Sequence, residues 1–278
     1  MVADLHLHTT ASDGSNTPEE LVKLAKKKKI NTIAIADHDT IDGIEPALRA
    51  GNKAKIEVLP AIEFSTFRGK AEIHILGYFI DYTDKVLLEK INKIFQARIN
   101  RAKMMIKLLN ELGIEITFNE VKMLAGDKYI GRPHIARAMV KNGYIEEIGD
   151  AFNQKYIGNG GRAYVPKYKI SPEEAIKIIK KVEGIPVLAH PVFINHGDPL
   201  DKNDIRLLKD SGLMGIEVFH SKHNDRDQKY YQKIAEELEL VITGGSDYHG
   251  ENSPDIHLGD VLIEDKYVNK LKKSRDLV

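Results

Sequence analysis

Seven short apolar runs, most of them separated by helical stretches, constrain this 278-residue chain more than any other feature. They span residues 3–9, 32–37, 56–64, 72–79, 185–189, 215–219 and 240–243. Runs of this length, bounded by turn residues, read as strands. Thr17-Pro18-Glu19-Glu20 opens a helix with an N-cap, a proline in the first turn and acidic residues at the positive end of the dipole. Ser171-Pro172-Glu173-Glu174 repeats the pattern before residues 175–182, and a third helix over 228–238 leads into the last strand. The alternation predicts an α/β fold with a mostly parallel sheet. One link breaks the rule. Residues 65–70 are too few to hold a crossover helix, so the barrel or sheet must be irregular between its third and fourth strands.

Residues 80–184 contain no convincing strand. The spacing of Val86, Leu87, Ile91, Ile94, Ile99 and Ile106 predicts a helix over 84–112 that ends at Gly113. Shorter helical pieces are expected over 119–124, 133–141 and 145–156. Residues 100–165 therefore read as a helical insertion on a main domain made of 1–99 and 166–278, with the loop at Gly158, Gly160 and Gly161 returning the chain.

The placement of polar residues says more than their number. His6 and His8 stand two apart on the first strand, so both leave one face, and Asp13 follows in the loop beyond. His38 follows the second strand and Glu63 ends the third. His190 and His220 close the fifth and sixth, and Asp247 and His249 come just after the seventh. His74, within the fourth strand, fits least well. In barrels and open parallel sheets functional groups gather at the carboxyl ends of strands. One such histidine is ordinarily a hydrogen-bonded structural residue, but chance would not deliver His, Asp or Glu at nearly every strand. A dinuclear or trinuclear metal centre is expected. The chain has no cysteine, which removes disulfides and thiolate ligands. Nitrogen and carboxylate donors leave Mn, Fe, Zn and Mg open.

Lys plus Arg (41) balances Asp plus Glu (41), so no overall field draws nucleic acid or an anionic membrane. The basic runs at 26–29 and 270–275 read as solvated helix faces. No apolar run is long enough to span a bilayer, and the chain enters its first strand without a signal-peptide pattern, so a cytoplasmic protein is expected. Ser12, Ser65 and Ser246 have no triad context, and Gly244-Gly245-Ser246-Asp247 reads as a tight turn near a metal rather than a phosphate loop. A covalent nucleophile is not expected.

His6-Leu7-His8 with Asp13, Asp37-His38-Asp39, Glu63, His74, His190 and Asp247-Tyr248-His249 resemble the motifs of the PHP (polymerase and histidinol phosphatase) superfamily, in order as well as in residue type. The resemblance runs through residues 3–80 and 185–250. It implies a distorted (β/α)7 barrel holding up to three divalent metals, manganese foremost, with Mg, Fe or Zn as alternatives. One metal would take His6, His8, Glu63 and Asp247, and a second Glu63, His74 and His190. A third would take Asp13, His38 and His249, with Glu63 bridging the first two.

The stretches around Gly131-Arg132-Pro133-His134 and from Glu217 through His220 and Lys222 to His223 resemble the stand-alone bacterial phosphoesterases of that superfamily. Those include nucleoside 3′,5′-bisphosphate phosphatases, also described as 5′-end exoribonucleases on short RNA. The insertion would then cap the metals, with Arg132 and His134 as phosphate contacts. Glu63 and His220 would be catalytic, His220 on the substrate side as proton donor to the leaving oxygen. His196, His223 and His257 are given no role. The expected activity is hydrolysis of small nucleotide monoesters, 3′,5′-bisphosphates or nucleoside monophosphates, by a metal-bridged hydroxide. The alternatives are histidinol phosphate, short RNA ends, or a non-catalytic metal-stabilised binding module. Neither a membrane partner nor an extended nucleic-acid groove is expected.

Overall fold

The computed structural model describes residues 2–126 and 130–277. The chain divides into two compact units, Met1–Leu88 with Lys169–Val278, and Glu89–Tyr168. The first is built on one sheet. Among the described residues its strands are β1 (Val2–Leu7), β2 (Thr32–Ile35), β3 (Glu57–Arg68), β4 (Ala71–Tyr78), β5 (Ile185–Leu188), β6 (Gly215–His220), β7 (Val241–Gly245) and β8 (Ile263–Glu264). They lie in the order β7-β6-β5-β4-β3-β2-β1-β8. β1, β2 and β3 pair in parallel, as do β5, β6 and β7, whereas β4 runs antiparallel to both its neighbours. β8 adds two residues antiparallel to the start of β1.

The irregularity falls at the short link. Residues 65–70, too few for a crossover helix, belong to a hairpin: β3 runs on to Arg68, and β4 starts at Ala71. Gly69 sits at φ 65° in the two-residue turn, a conformation that costs glycine little. The sheet curls until its ends almost meet. The Asp247 N–H donates to the His6 carbonyl at 3.0 Å, and the His8 N–H to the Tyr248 carbonyl at 3.1 Å. Asp4, fully buried at this seam, accepts the Ser246 N–H (2.8 Å), the Ser246 hydroxyl (2.6 Å) and the Gly259 N–H (3.0 Å). Burial pushes its carboxyl up to about 6 even though these donors favour the anion. The result is the distorted α/β barrel that the sequence led us to expect, nearly closed, with β8 as an added strand.

Alternate residues of the strands serve two apolar layers. Ile33 and Ile35 of β2 pack with Leu21, Val22 and Ala25 of α1 (Pro18–Lys27) and Ala47 of α2 (Ile44–Ala54). Ala34 joins Leu5, Leu59, Tyr78 and Val187 in a separate cluster. Thr17 caps α1 through a reciprocal pair with Glu20. α2 lacks a side-chain cap and carries Gly51 in its interior, so its sequence announces a helix only weakly. Gly51 is there for packing: a Cβ would come within 2.6 Å of Val58 Cγ2.

Helix α3 (Lys85–Glu111) leads into the second unit, which adds α4 (Phe118–Ala125) and α5 (Arg132–Lys141). Its own core includes Met105, Leu109, Ile116, Val121, Ile135 and Met139. The helix expected over 145–156 does not form; only a short 3-10 turn, Ile148–Ala151, appears. Asn153 diverts the chain, its side chain accepting the Lys155 and Tyr156 N–H groups and its carbonyl the Gly158 N–H. The barrel unit continues with α6 (Pro172–Lys181), α7 (Lys202–Asp210), α8 (Asp225–Glu237) and α9 (Asp265–Lys273). Among the described residues no helix is long and apolar enough to cross a membrane.

The seam at Asp4 is open to test. Asp4→Ala strands the two buried donors of Ser246, each worth about 1–3 kcal/mol when left unsatisfied, and the half-buried Gly259 N–H. We expect urea unfolding to show a loss of about 3 kcal/mol. A loss below about 0.5 kcal/mol, the range of ordinary surface changes, would mean that the barrel does not depend on this closure.

Candidate metal centre

All nine residues expected as metal ligands lie in the barrel unit, and their side chains converge. Glu63, fully buried on β3, is the point where they meet. Its Oε2 lies 3.3 Å from Nε2 of both His6 and His8 and 2.9 Å from His38 Nδ1. Its Oε1 lies 3.0 Å from His74 Nδ1 and 3.1 Å from His190 Nε2. Asp247 Oδ1 lies 3.2 Å from His8 Nε2 and 3.6 Å from both His6 Nε2 and His249 Nδ1. Asp13 reaches His249 Nε2 at 3.3 Å, His8 Nδ1 at 3.7 Å and His38 Nε2 at 3.9 Å. Three sets with His8 or Glu63 in common, His6-His8-Glu63, His38-Glu63-His74 and His8-Asp13-His38-His249, each bring one ligand atom per residue within 4.8 Å of the others. A fourth set holds His6, His220 and Asp247.

The sheet explains the odd member. Because β4 runs backwards, Ser65 pairs with His74. A residue in the first half of β4 therefore stands level with the part of β3 that carries Glu63. Backbone strain also gathers here: Asp39 (φ 52°), His190 (φ 24°) and Asp247 (φ 58°) all occupy the left-handed region.

Hydrogen bonds on the far side of each ring settle which nitrogen faces inward. His6 Nδ1 lies 3.0 Å from Glu217 Oε1, His190 Nδ1 3.2 Å from the Phe193 carbonyl, and His249 Nδ1 2.9 Å from the Asp247 carbonyl. Each partner is an acceptor, so Nδ1 keeps its proton, and Nε2, which faces the carboxylates of the cluster, is the nitrogen left to give a lone pair once a metal displaces any proton there. His220 is the opposite case. The Lys222 backbone N–H donates to His220 Nδ1 at 3.2 Å, so the proton of the neutral ring sits on Nε2. That nitrogen lies 3.5 Å from Asp247 Oδ2.

Divalent metals fit this donor set. His6 Nε2, both ring nitrogens of His8, His38 Nδ1, Glu63 Oε2 and Asp13 Oδ1 are buried without a hydrogen-bond partner. Orphaned buried polar atoms are costly, and these converge as Lewis bases. Imidazole nitrogens and carboxylate oxygens suit first-row divalent cations and Mg.

The electrostatics agree. Burial alone would lower the pKa of His6, but Glu217, Glu63 and Asp247 together raise it well above its ordinary value. Burial likewise opposes His74, yet Glu63 and Glu72 raise it to about 10. Burial also works against Glu63 and Asp247, but the surrounding imidazoles hold both carboxyls well below the usual range. His190 is pushed down by its burial, and the bond to Glu63 does not make up the difference. Protons on the histidines thus balance the carboxylates, and metal binding must displace them.

The sequence assigns no role to several supporting residues. Asp37 accepts the Thr9 N–H (2.7 Å), the Thr9 hydroxyl (2.8 Å) and the Ser12 hydroxyl (2.7 Å), pinning the loop that presents Asp13. Asp39 accepts the Ser65 N–H at 3.0 Å. Glu217, buried on β6, holds His6. Their place in the stretches Asp37-His38-Asp39 and Glu217 to His223, which resemble family motifs, is the hint available. His223 is buried and its Nδ1 donates to the Val218 carbonyl at 2.8 Å.

Arg132 and His134 belong to the second unit, in the first turn of α5. The Arg132 guanidinium donates to the Ile157 carbonyl (3.1 Å) and Asn159 Oδ1 (3.0 Å) and lies by the rings of Phe152 and Tyr164. His134 Nδ1 accepts the Gly131 N–H at 3.1 Å, and burial, aided by Arg137, keeps its pKa below the ordinary value.

The PHP domain family matches residues 4–183. The 5′-3′ exoribonuclease Rnm of Escherichia coli is 32% identical over 264 residues, covering 94% of this chain and 89% of that protein. The 3′,5′-nucleoside bisphosphate phosphatase of Chromobacterium violaceum is 31% identical over 256 residues, covering 91% and 90%. A solved structure described as a metal-dependent phosphoesterase, from Bifidobacterium adolescentis, has a TM-score of 0.82 at 31% identity, covering 97% of this chain and 94% of that one. The barrel, the ligand cluster and these likenesses together define a metal-dependent phosphoesterase. The chain belongs to the PHP family.

His8 belongs to two of the ligand sets and Asp247 lies against His6, His8 and His249, so the loss of either should be damaging. In His8→Ala and Asp247→Ala we expect lower metal content by elemental analysis and a fall of about a hundredfold or more in phosphate-ester hydrolysis, the scale of losing a main charge-stabilising group. Full metal occupancy with near-parental turnover would remove either residue from the centre.

Proposed function

We propose that this phosphoesterase hydrolyses phosphate monoesters of small nucleotides, nucleoside 3′,5′-bisphosphates foremost and nucleoside monophosphates after them. We further propose a trinuclear centre with manganese resident. The observation that carries the reading is the contrast between His220 and its neighbours. The other oriented imidazoles are bonded through Nδ1 to an acceptor, which leaves Nε2 for a metal, whereas His220 accepts through Nδ1 and keeps an N–H toward Asp247. A ribose alkoxide is a poor leaving group, and an N–H beside the cluster is what it requires. The metals, when bound, supply an acidified water and neutralise charge on phosphorus oxygens. The imidazoles around Glu63 and Asp247 hold both carboxyls well below the usual range, which favours the anions that serve as ligands. His220 protonates the departing oxygen. Arg132 and His134 are assigned to the substrate's phosphates, as a guanidinium fork and an imidazole N–H.

A nucleotide with two phosphates and the 5′ end of a short RNA present the same terminal groups, and the two relatives named above act on one or the other. The balance of 41 basic and 41 acidic residues gives no reason to expect a groove for long nucleic acid. Nucleotide substrates and the lack of cysteine fit a cytoplasmic enzyme.

Four substrates measured side by side test the specificity: a nucleoside 3′,5′-bisphosphate, the matching monophosphate, a short single-stranded RNA and long duplex DNA. We expect the highest kcat/KM for the bisphosphate and no cutting of the duplex. Preference for histidinol phosphate, or efficient duplex cleavage, would overturn the assignment.

Two variants test the residue roles. His220→Gln should lower kcat on a nucleotide by about a hundredfold, within the range of general-acid catalysis, but only a few-fold on p-nitrophenyl phosphate, whose leaving group needs no proton. Equal losses on both would refute the acid role. Arg132→Ala should cost about 2–3 kcal/mol in kcat/KM for nucleotides, the worth of one charged contact, with metal content unchanged. Parental kinetics in that variant would end its role in binding.

A further inference from the structure

Glu217 is a fully buried carboxylate that holds two of the expected ligands without being one of them. It sits in the middle of β6. Its Oε1 lies 3.0 Å from His6 Nδ1, on β1, and its Oε2 accepts the backbone N–H of His190 at 2.9 Å, just past β5. The two oxygens thus reach across the sheet to both sides, and each meets a group that must donate.

We propose that Glu217 is a positioning residue that presets two metal ligands at once. At His6 it keeps the proton on Nδ1, which turns the Nε2 lone pair toward Glu63 at 3.3 Å. At His190 it holds the backbone itself. That residue stands at φ 24°, where a side chain larger than hydrogen is strained. The bond from its N–H to Glu217 secures this conformation and with it the approach of His190 Nε2 to Glu63, at 3.1 Å.

The chemistry requires a carboxylate. Two donors face this side chain, so two acceptors are needed. An amide of the same shape offers one acceptor and must point its NH2 at an N–H or force the imidazole to give up its Nδ1 proton. In the second case the His6 proton moves to Nε2 and the lone pair is lost to the metal. Among the described residues, the hydrogen bonds of Glu217 go to His6 and His190 and not to His8, Asp13, His38 or His249. Its influence is therefore confined to the metals that use His6 and His190. It rests on the metal centre and on none of the substrate assignments.

Titration of metal-stripped protein with Mn2+, followed by calorimetry and elemental analysis, separates the two sides of the cluster. In Glu217→Gln we expect one class of Mn2+ sites to weaken by about 10–100-fold, the usual cost of losing a carboxylate behind a ligating histidine. The class that depends on Asp13, His38 and His249 should keep parental affinity. A folded variant that titrates like the parent would overturn the proposal, as would one that loses thermal stability in the metal-free state with its Mn2+ affinities intact. The parent protein gives an independent answer should the variant not fold. Loaded with diamagnetic Zn2+, its His6 should show 15N shifts of a ring metallated at Nε2 and protonated at Nδ1. Metallation at Nδ1 would overturn the proposal whatever the variant does.

Discussion

A single carboxylate with no access to water, Glu63, faces five imidazoles, and the rest of the structure depends on that arrangement. A buried charge survives only if it is paired and hydrogen-bonded. Here the pairing comes from β1, β4 and the ends of β2 and β5, so the strands can meet at this end of the sheet only while their side chains balance Glu63. Protons serve that purpose in the metal-free state, raising His6, His38 and His74 above their ordinary range. Divalent cations do it with the same donors, and fold and cofactor site are one electrostatic problem.

The mixed sheet serves the same end. A wholly parallel barrel would present only the carboxyl ends of its strands to the centre. Reversing β4 through a two-residue turn lets His74 approach from the first half of its strand, beside Glu63 on the adjacent one. The strained backbone at His190 and Asp247 and the Asp37 brace on the Thr9–Ser12 loop belong to this pattern. Each fixes the direction of a ligand at a local cost that the cluster as a whole repays.

Ring orientation separates the histidines by task. His6, His190 and His249 are each bonded through Nδ1 to an acceptor, and His220 through Nδ1 to a donor. Four residues of one type, within a few ångströms, therefore leave Nε2 open to a metal in three cases and hold a proton there in the fourth.

The sequence by itself determined the first seven strands, the helices opened by Thr17 and Ser171 and the one leading into the seventh strand, and the gathering of His, Asp and Glu at strand ends, because apolar periodicity and spacing are local properties. The shortness of residues 65–70 even located the break in the parallel pattern. Other features were settled only by tertiary structure. The extension of β3 to Arg68 depends on pairing with β4 and with the Ile170 carbonyl. α2 forms although Gly51 in its interior speaks against it, because Gly51 lets the helix close on Val58. The helix expected over 145–156 gives way to the bonds of Asn153. Asp4, Asp37 and Glu217 are ordinary acidic residues in the chain, and partners far away in sequence give each its task. No spacing rule reports which nitrogen of a histidine holds the proton, since that depends on a neighbour brought up by another strand.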